Sequence, residues 1–148
     1  MIVTSQEAVT LIEDSLNNVI PLDGERLEKV IYAANNSNLV RDWILGMPNR
    51  YTLDESIQFV SYMAVKCTAE DSVPFITANG IYSYEKGDLE SADAYITYAL
   101  KIDKNYSLAQ LMKRTLKQGI NLSMPLMRLG VDVLVLNELK GKKGAIAI

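Results

Sequence analysis

A chain of 148 residues with 49% hydrophobic and 22% charged side chains can bury a core without staples, and its balance lies far from the charge-rich, apolar-poor composition of disordered chains. Histidine is absent and cysteine occurs once, at Cys67, which excludes histidine triads, intramolecular disulfides and zinc or iron–sulfur sites built within one chain. The net charge of −3 hides a polarity: residues 1–100 carry 6 basic and 15 acidic side chains, residues 101–148 carry 9 basic and 3 acidic.

Thr4, Ser5, Gln6 and Glu7 have the pattern of a capping box, a hydroxyl accepting from an orphan amide while the glutamate reaches back. The spacing of Ala8, Leu11, Ile12, Leu16 and Ile20 predicts a first helix with one core-facing stripe, ended by Pro21. Asp23 is the expected cap of a second helix with Leu27, Val30, Ile31 and Ala34 inward, broken by Asn35, Asn36 and Ser37. A short third helix carries Leu39, Val40, Trp43 and Ile44 and stops at Gly46 to Pro48. Arg41 and Asp42, beside Trp43, are the candidates for a partly buried ion pair that fixes it.

Thr52 to Glu55 is a second capping box, opening a fourth helix with Ile57, Val60 and Ala64 inward. Cys67, after Tyr62, Met63, Ala64 and Val65, is expected as a buried thiol in a reducing compartment. Pro74 suits the first turn of a fifth helix, and Gly87 with Asp88 ends that helix and caps a sixth. The sixth runs to about Asp103. A seventh follows Asn105 to Ser107 with Leu108, Leu111, Met112 and Leu116 inward and Gly119 as its terminal glycine. Beyond it, Met124 to Leu129 reads as a turn of helix, and Val131 to Leu139 is apolar enough for a strand or a buried helix, of which the helix is favoured because no second strand is evident and a lone strand is unstable. Residues 141–148 read as a loose tail.

These elements predict an all-α fold: one helical domain over residues 1–140, a compact bundle of about seven or eight helices joined by short connections. Within it, Ser72 to Gly119 form an antiparallel hairpin with its following helix. Gly80 and Ala92 permit close approach, Tyr82 and Tyr95 fill the gap, and Ala99 with Leu100 dock the next helix. This pattern resembles a single tetratricopeptide repeat, although Ile76 stands where a tryptophan is usual and Lys104 where a proline is. One copy falls short of the roughly three that a solenoid with a peptide groove requires.

A wider likeness spans residues 21–120. Val40, Arg41 and Asp42, then Gly87, Asp88, Ala92, Ala99 and Asp103, then Tyr106 to Ala109, Leu111, Leu116 and Gly119 resemble the helical C-terminal half of the domain of unknown function numbered four-one-nine-two. That family occurs in actinobacteria and their phages. The resemblance implies a helical fold and such a source, and it implies no activity.

No phosphate-binding loop or carboxylate calcium loop occurs; the Gly141 to Gly144 run has no helix to follow it. Neither a metal nor an organic cofactor is expected. A step of two on a helix turns through about 200°, so Tyr82 and Tyr84 cannot both face inward. Tyr84 and Tyr98 are the partner-binding candidates. Lys113, Arg114 and Lys117, with Lys140, Lys142 and Lys143, are the candidates for a basic face toward nucleic-acid phosphates. With no aromatic residue after Tyr106 in this region, stacking on single strands is disfavoured. No apolar run approaches the roughly 18 residues of a membrane span, and no basic-then-apolar leader opens the chain. The resulting expectation is a cytoplasmic, non-enzymatic scaffold or adaptor that binds a protein partner or itself. Accessory nucleic-acid binding through the basic C-terminal third is the alternative.

Overall fold

The computed structural model describes residues 2–119, Val135 and residues 137–139. All regular structure among these residues is helical, in seven α-helices over residues 5–118, two short 3-10 turns and the further helical residues Val135 and 137–139, and the fold is all-α as its sequence pattern predicts. The described chain divides into two compact units, residues 2–46 with the helical residues Val135 and 137–139, and residues 47–119.

The first unit holds α1 (Ser5–Asn17), α2 (Gly24–Asn36) and α3 (Asn38–Leu45). Thr4 Oγ1 accepts from the Glu7 amide at 3.0 Å, so the cap forms, but the reciprocal half of the box does not. Glu7 instead accepts from Lys29 Nζ at 2.7 Å, joining α1 to α2. That bond holds the Lys29 ammonium above its ordinary pKa of 10.5.

Helix α1 stops at Asn17, short of the expected Pro21: Asn18 leaves the helical region at φ −115° and ψ 5° with its amide still donating to the Asp14 carbonyl, and Val19 enters the left-handed region at φ 53°. Ile20, assigned to the inward stripe, consequently lies outside the helix and is exposed. The predicted Asp23 cap makes no side-chain bond to α2. In contrast, Ser37 Oγ accepts from the Val40 amide at 3.3 Å and lies 3.1 Å from Ser5 Oγ, linking the start of α3 to α1. Ala8, Ile12, Val30, Ala33, Val40, Trp43 and Ile44 are buried.

The second unit opens with a 3-10 turn at Met47–Asn49 and continues through α4 (Leu53–Lys66), a turn at Glu70–Ser72, α5 (Val73–Lys86), α6 (Leu89–Ile102) and α7 (Ser107–Gln118). The second capping box is complete: the Glu55 amide donates to Thr52 Oγ1 at 3.0 Å and the Thr52 amide to Glu55 Oε1 at 2.9 Å. The buried face of α4 is Ser56, Phe59, Val60 and Met63, rotated from the expected Ile57, Val60 and Ala64.

Helix α5 lies between α4 and α6 and is buried from Val73 through Ser83 except at Ile76. A helix covered on most sides loses the one-sided apolar stripe of a surface helix. Asn79, one of its buried polar residues, donates from Nδ2 to Ser61 Oγ on α4 at 3.1 Å. Burial of a side chain such as Phe75 contributes about 1.5–3 kcal/mol.

The α5–α6 connection is built as its residues require. Gly87 adopts φ 89°, its amide donates to the Tyr84 carbonyl at 3.0 Å and the Asp88 amide to the Ser83 carbonyl at 2.9 Å, the paired bonds of a Schellman ending. Asp88 Oδ1 then accepts from the Ser91 amide at 3.1 Å and caps α6. Bonding to Ser91 lowers the Asp88 pKa below its ordinary 3.8. Gly119 ends α7 in the left-handed conformation at φ 65°.

Candidate functional site

Three buried residues of α6, Ala92, Ile96 and Ala99, recur at intervals of four and three and turn one face of the helix inward. Gly80 of α5 meets this face. A methyl group there would lie 2.8 Å from Ile96 Cδ1 and 2.9 Å from Cγ1, so glycine sets the approach of the two helices. Helix α7 covers the neighbouring side of α6 with Ala109, Met112 and Thr115 buried.

Between the start of α6 and the end of α7 lies an open groove of about 420 Å³, lined by Leu89, Asp93, Lys113, Leu116 and Lys117. Leu89 is the first residue of α6 and is 56% exposed. Lys113 Nζ donates to Asp93 Oδ1 and to Thr97 Oγ1, both at 2.8 Å, and bridges the helices along one edge. Lys117 stands one turn further along α7 on the same side. Among the described residues, neither Asp93 nor Glu90 pairs with it. The groove therefore has two apolar walls, one internally satisfied ion pair and one ammonium facing solvent.

The sequence candidates distribute unevenly over the described helices. Tyr98 is 54% exposed on α6. Tyr84 is half-buried and engaged in an interaction, so the expected pair of open tyrosines reduces to Tyr98. Its companion is Tyr95, expected to fill the α5–α6 gap but 38% exposed instead, because Ala92, Ile96 and Ala99 take the inward positions and Tyr82 fills the interior alone. Leu111 is likewise 44% exposed rather than inward, and Ala109 and Thr115 occupy the face assigned to it.

Lys113 and Lys117 share a side of α7, while Arg114 is turned about 100° from Lys113 and is exposed. Lys117 lies between them, about 40° from Lys113 and 60° from Arg114, so the three cations span an arc of about 100° along one side of α7. Lys113 is committed to Asp93 and Thr97, which leaves less positive charge for phosphates than the sequence suggests. Lys140, Lys142 and Lys143 lie outside the described residues, as do Met124 to Leu129 and the tail at 141–148; within the expected Val131 to Leu139 helix, Val135 and residues 137–139 are described.

The structural candidates are grouped by unit. Arg41 Nε and Nη2 both donate to Asp42 Oδ1, at 3.0 and 2.9 Å, in a partly exposed pair beside the buried Trp43. Gly80, Gly87, Asp88, Ala92 and Ala99 build the α5–α6 hairpin. Cys67 is half-buried rather than enclosed, and burial pushes its thiol up to about 11, so it is a weak source of thiolate. Among the described residues no three acidic or cysteine side chains are grouped to hold a metal ion, and no helix is long and apolar enough to cross a membrane.

Reading the sequence for tyrosines and cations missed Leu89, Asp93 and Leu116. The available signals were a leucine at the first position of α6, where it cannot reach the core, and an aspartate one turn on, opposite a lysine-rich helix. Comparison with protein-family models, curated proteins and solved structures found no match in any of the three.

Proposed function

We propose that this protein is a non-enzymatic helical adaptor whose second unit binds a protein partner through the exposed edge of α6 and α7. The observation that carries this reading is the groove of about 420 Å³ walled by Leu89 and Leu116. Apolar side chains at the rim of a concavity gain by being covered, and a groove between two helices accepts a side chain or helix of another protein. Tyr95 and Tyr98 are exposed on α6 but are turned about 200° and about 140° from Asp93, away from the groove, and form no part of this surface.

The absence of histidine and the poorly ionised Cys67 thiol leave general-base and thiolate chemistry without a ready residue, which supports binding over catalysis. A single cysteine fits a reducing, cytoplasmic setting. The likeness to domain of unknown function four-one-nine-two, and through it an actinobacterial or phage source, accords with a scaffold and supplies no reaction. Lys113, held by Asp93 and Thr97, counts against the nucleic-acid alternative.

The test is affinity capture from a cognate lysate with the wild-type protein and Leu89→Asp in parallel, combined with light scattering on both. The expected outcome is a partner, or self-association, present with the wild type and lost with the variant. A strictly monomeric wild type that captures nothing sinks the proposal.

A further inference from the structure

Asn79 and Gly80 form the one Asn-Gly dipeptide of the chain. Succinimide formation meets least hindrance at this pairing, because glycine puts no Cβ beside the attacking amide. The fold cannot exchange the glycine for a safer residue: a methyl group there would lie 2.8 Å from Ile96 Cδ1. A chemically labile pair is thus built into the α5–α6 contact.

The closed hairpin restrains it. Inside α5 the Gly80 amide belongs to the helical ladder, so its nitrogen is tied to the preceding turn. The Cα–Cβ bond of Asn79 tilts toward the helix N-terminus, away from that nitrogen. Asn79 is 5% exposed, and its Nδ2 donates to Ser61 Oγ on α4 at 3.1 Å. Glycine is a poor helix former, so α5 holds this shape through its packing against α4 and α6.

We infer that Asn79–Gly80 is a deamidation site gated by the α5–α6 hairpin, silent while the hairpin is closed and converting when it opens. On opening, the Gly80 nitrogen gives up its proton to base and bonds to Asn79 Cγ. The Cγ–Nδ2 bond breaks, Nδ2 leaves as ammonia with a hydrogen taken from water, and a five-membered succinimide remains. Water then opens the ring at either carbonyl, giving aspartate or isoaspartate. Nothing is oxidised or reduced, and water is the co-reactant.

Neither product suits the closed hairpin. Both bring a charge to a buried position whose hydrogen-bond partner among the described residues is the neutral Ser61 hydroxyl, and a buried charge without a counter-ion is costly. Isoaspartate also adds a methylene to the main chain, which throws the helical ladder of α5 out of step. Opening is therefore recorded covalently, and a converted chain leaves the folded pool.

The test incubates the full chain at mildly alkaline pH, native and in guanidinium chloride. Residue 79 is followed by peptide mass for the amide-to-acid change and by enzymatic methylation for isoaspartate. The expected result is ready conversion in denaturant and conversion slower by roughly a hundredfold or more in the native chain. Ile96→Val and Ile96→Ala loosen the contact with Gly80 and leave the dipeptide intact. They should raise the native rate by roughly threefold and roughly thirtyfold, with the denatured rate unchanged. Should Ile96→Ala not fold, Ile96→Val still reads the dependence. Asn79→Asp should unfold at lower denaturant than wild type, and converted chains should refold in smaller yield.

A native rate equal to the denatured one, or one indifferent to both Ile96 variants, overturns gating by the hairpin. No conversion in denaturant overturns the site itself. Asn79→Asp as stable as wild type overturns the loss of fold that follows conversion.

Discussion

Val19 is the residue at which the backbone carries the clearest local cost. A β-branched side chain at φ 53° brings its Cβ against the backbone, and conformations of this kind cost about 1–3 kcal/mol in non-glycine residues. No packing offsets that cost, since Val19 is 84% exposed. What holds it is the chain reversal after α1, where the Ile20 amide turns back to the Asp14 carbonyl at 3.2 Å. Val19→Gly keeps that bond and removes the clash, at some cost in unfolded-chain entropy. The net expectation is a stabilisation of about 1 kcal/mol, seen as a rise in Tm of roughly 2–4 °C by circular dichroism. An unchanged or lower Tm would show that the left-handed turn is not strained.

Between elements, the decisive contact is Gly80 against Ile96. In an ordinary helix interior Gly→Ala stabilises by about 1 kcal/mol. Here the new methyl would lie 2.8 Å from Ile96 Cδ1 and 3.3 Å from the Ala92 carbonyl oxygen, and overpacking of this kind costs about 1–3 kcal/mol. Gly80→Ala is therefore expected to destabilise the wild type and to stabilise an Ile96→Ala background, where the blocking atoms are gone. Denaturant unfolding of the four proteins reads the change of sign; the same sign in both backgrounds would refute the close-approach argument.

That contact also marks how far the sequence could be read. Caps set by neighbouring residues were legible, as at Thr52 with Glu55 and at Gly87 with Asp88, because a hydroxyl or carboxylate three residues from an amide reaches it without help from the rest of the fold. Choices that depend on a second helix were not. Glu7 leaves its own cap for Lys29 on α2, the buried face of α4 turns toward Ser56 and Phe59, and Tyr95 and Leu111 lose the interior to smaller neighbours. Leucine and tyrosine are apolar in either position, so periodicity alone cannot assign them. The groove was illegible for the same reason: Leu89 and Leu116 are separated in the chain and meet only through the α6–α7 pairing.

Across the whole molecule, the two limits of pH act on different units. In the second unit, bonds from the Thr52 backbone amide and then its hydroxyl lower the Glu55 carboxyl below its ordinary 4.5, and bonding to Ser91 lowers Asp88 below 3.8. Groups with depressed folded-state pKa values contribute stability that is fully present above their unfolded values and is lost as pH falls through the folded ones. In the first unit, the hydrogen bond to Glu7 raises Lys29 above 10.5. Its contribution is fully present below 10.5 and is lost as pH rises through the higher folded value. The double variant Asp88→Asn, Glu55→Gln should consequently be less stable than wild type near neutral pH and converge with it well below pH 3.8. Lys29→Met should show a deficit at neutral pH that closes only above 10.5. Thermal unfolding across the pH range, followed by circular dichroism, separates the two limbs. A cap variant whose deficit persists undiminished in strong acid would place the stabilisation in packing rather than in carboxylate charge.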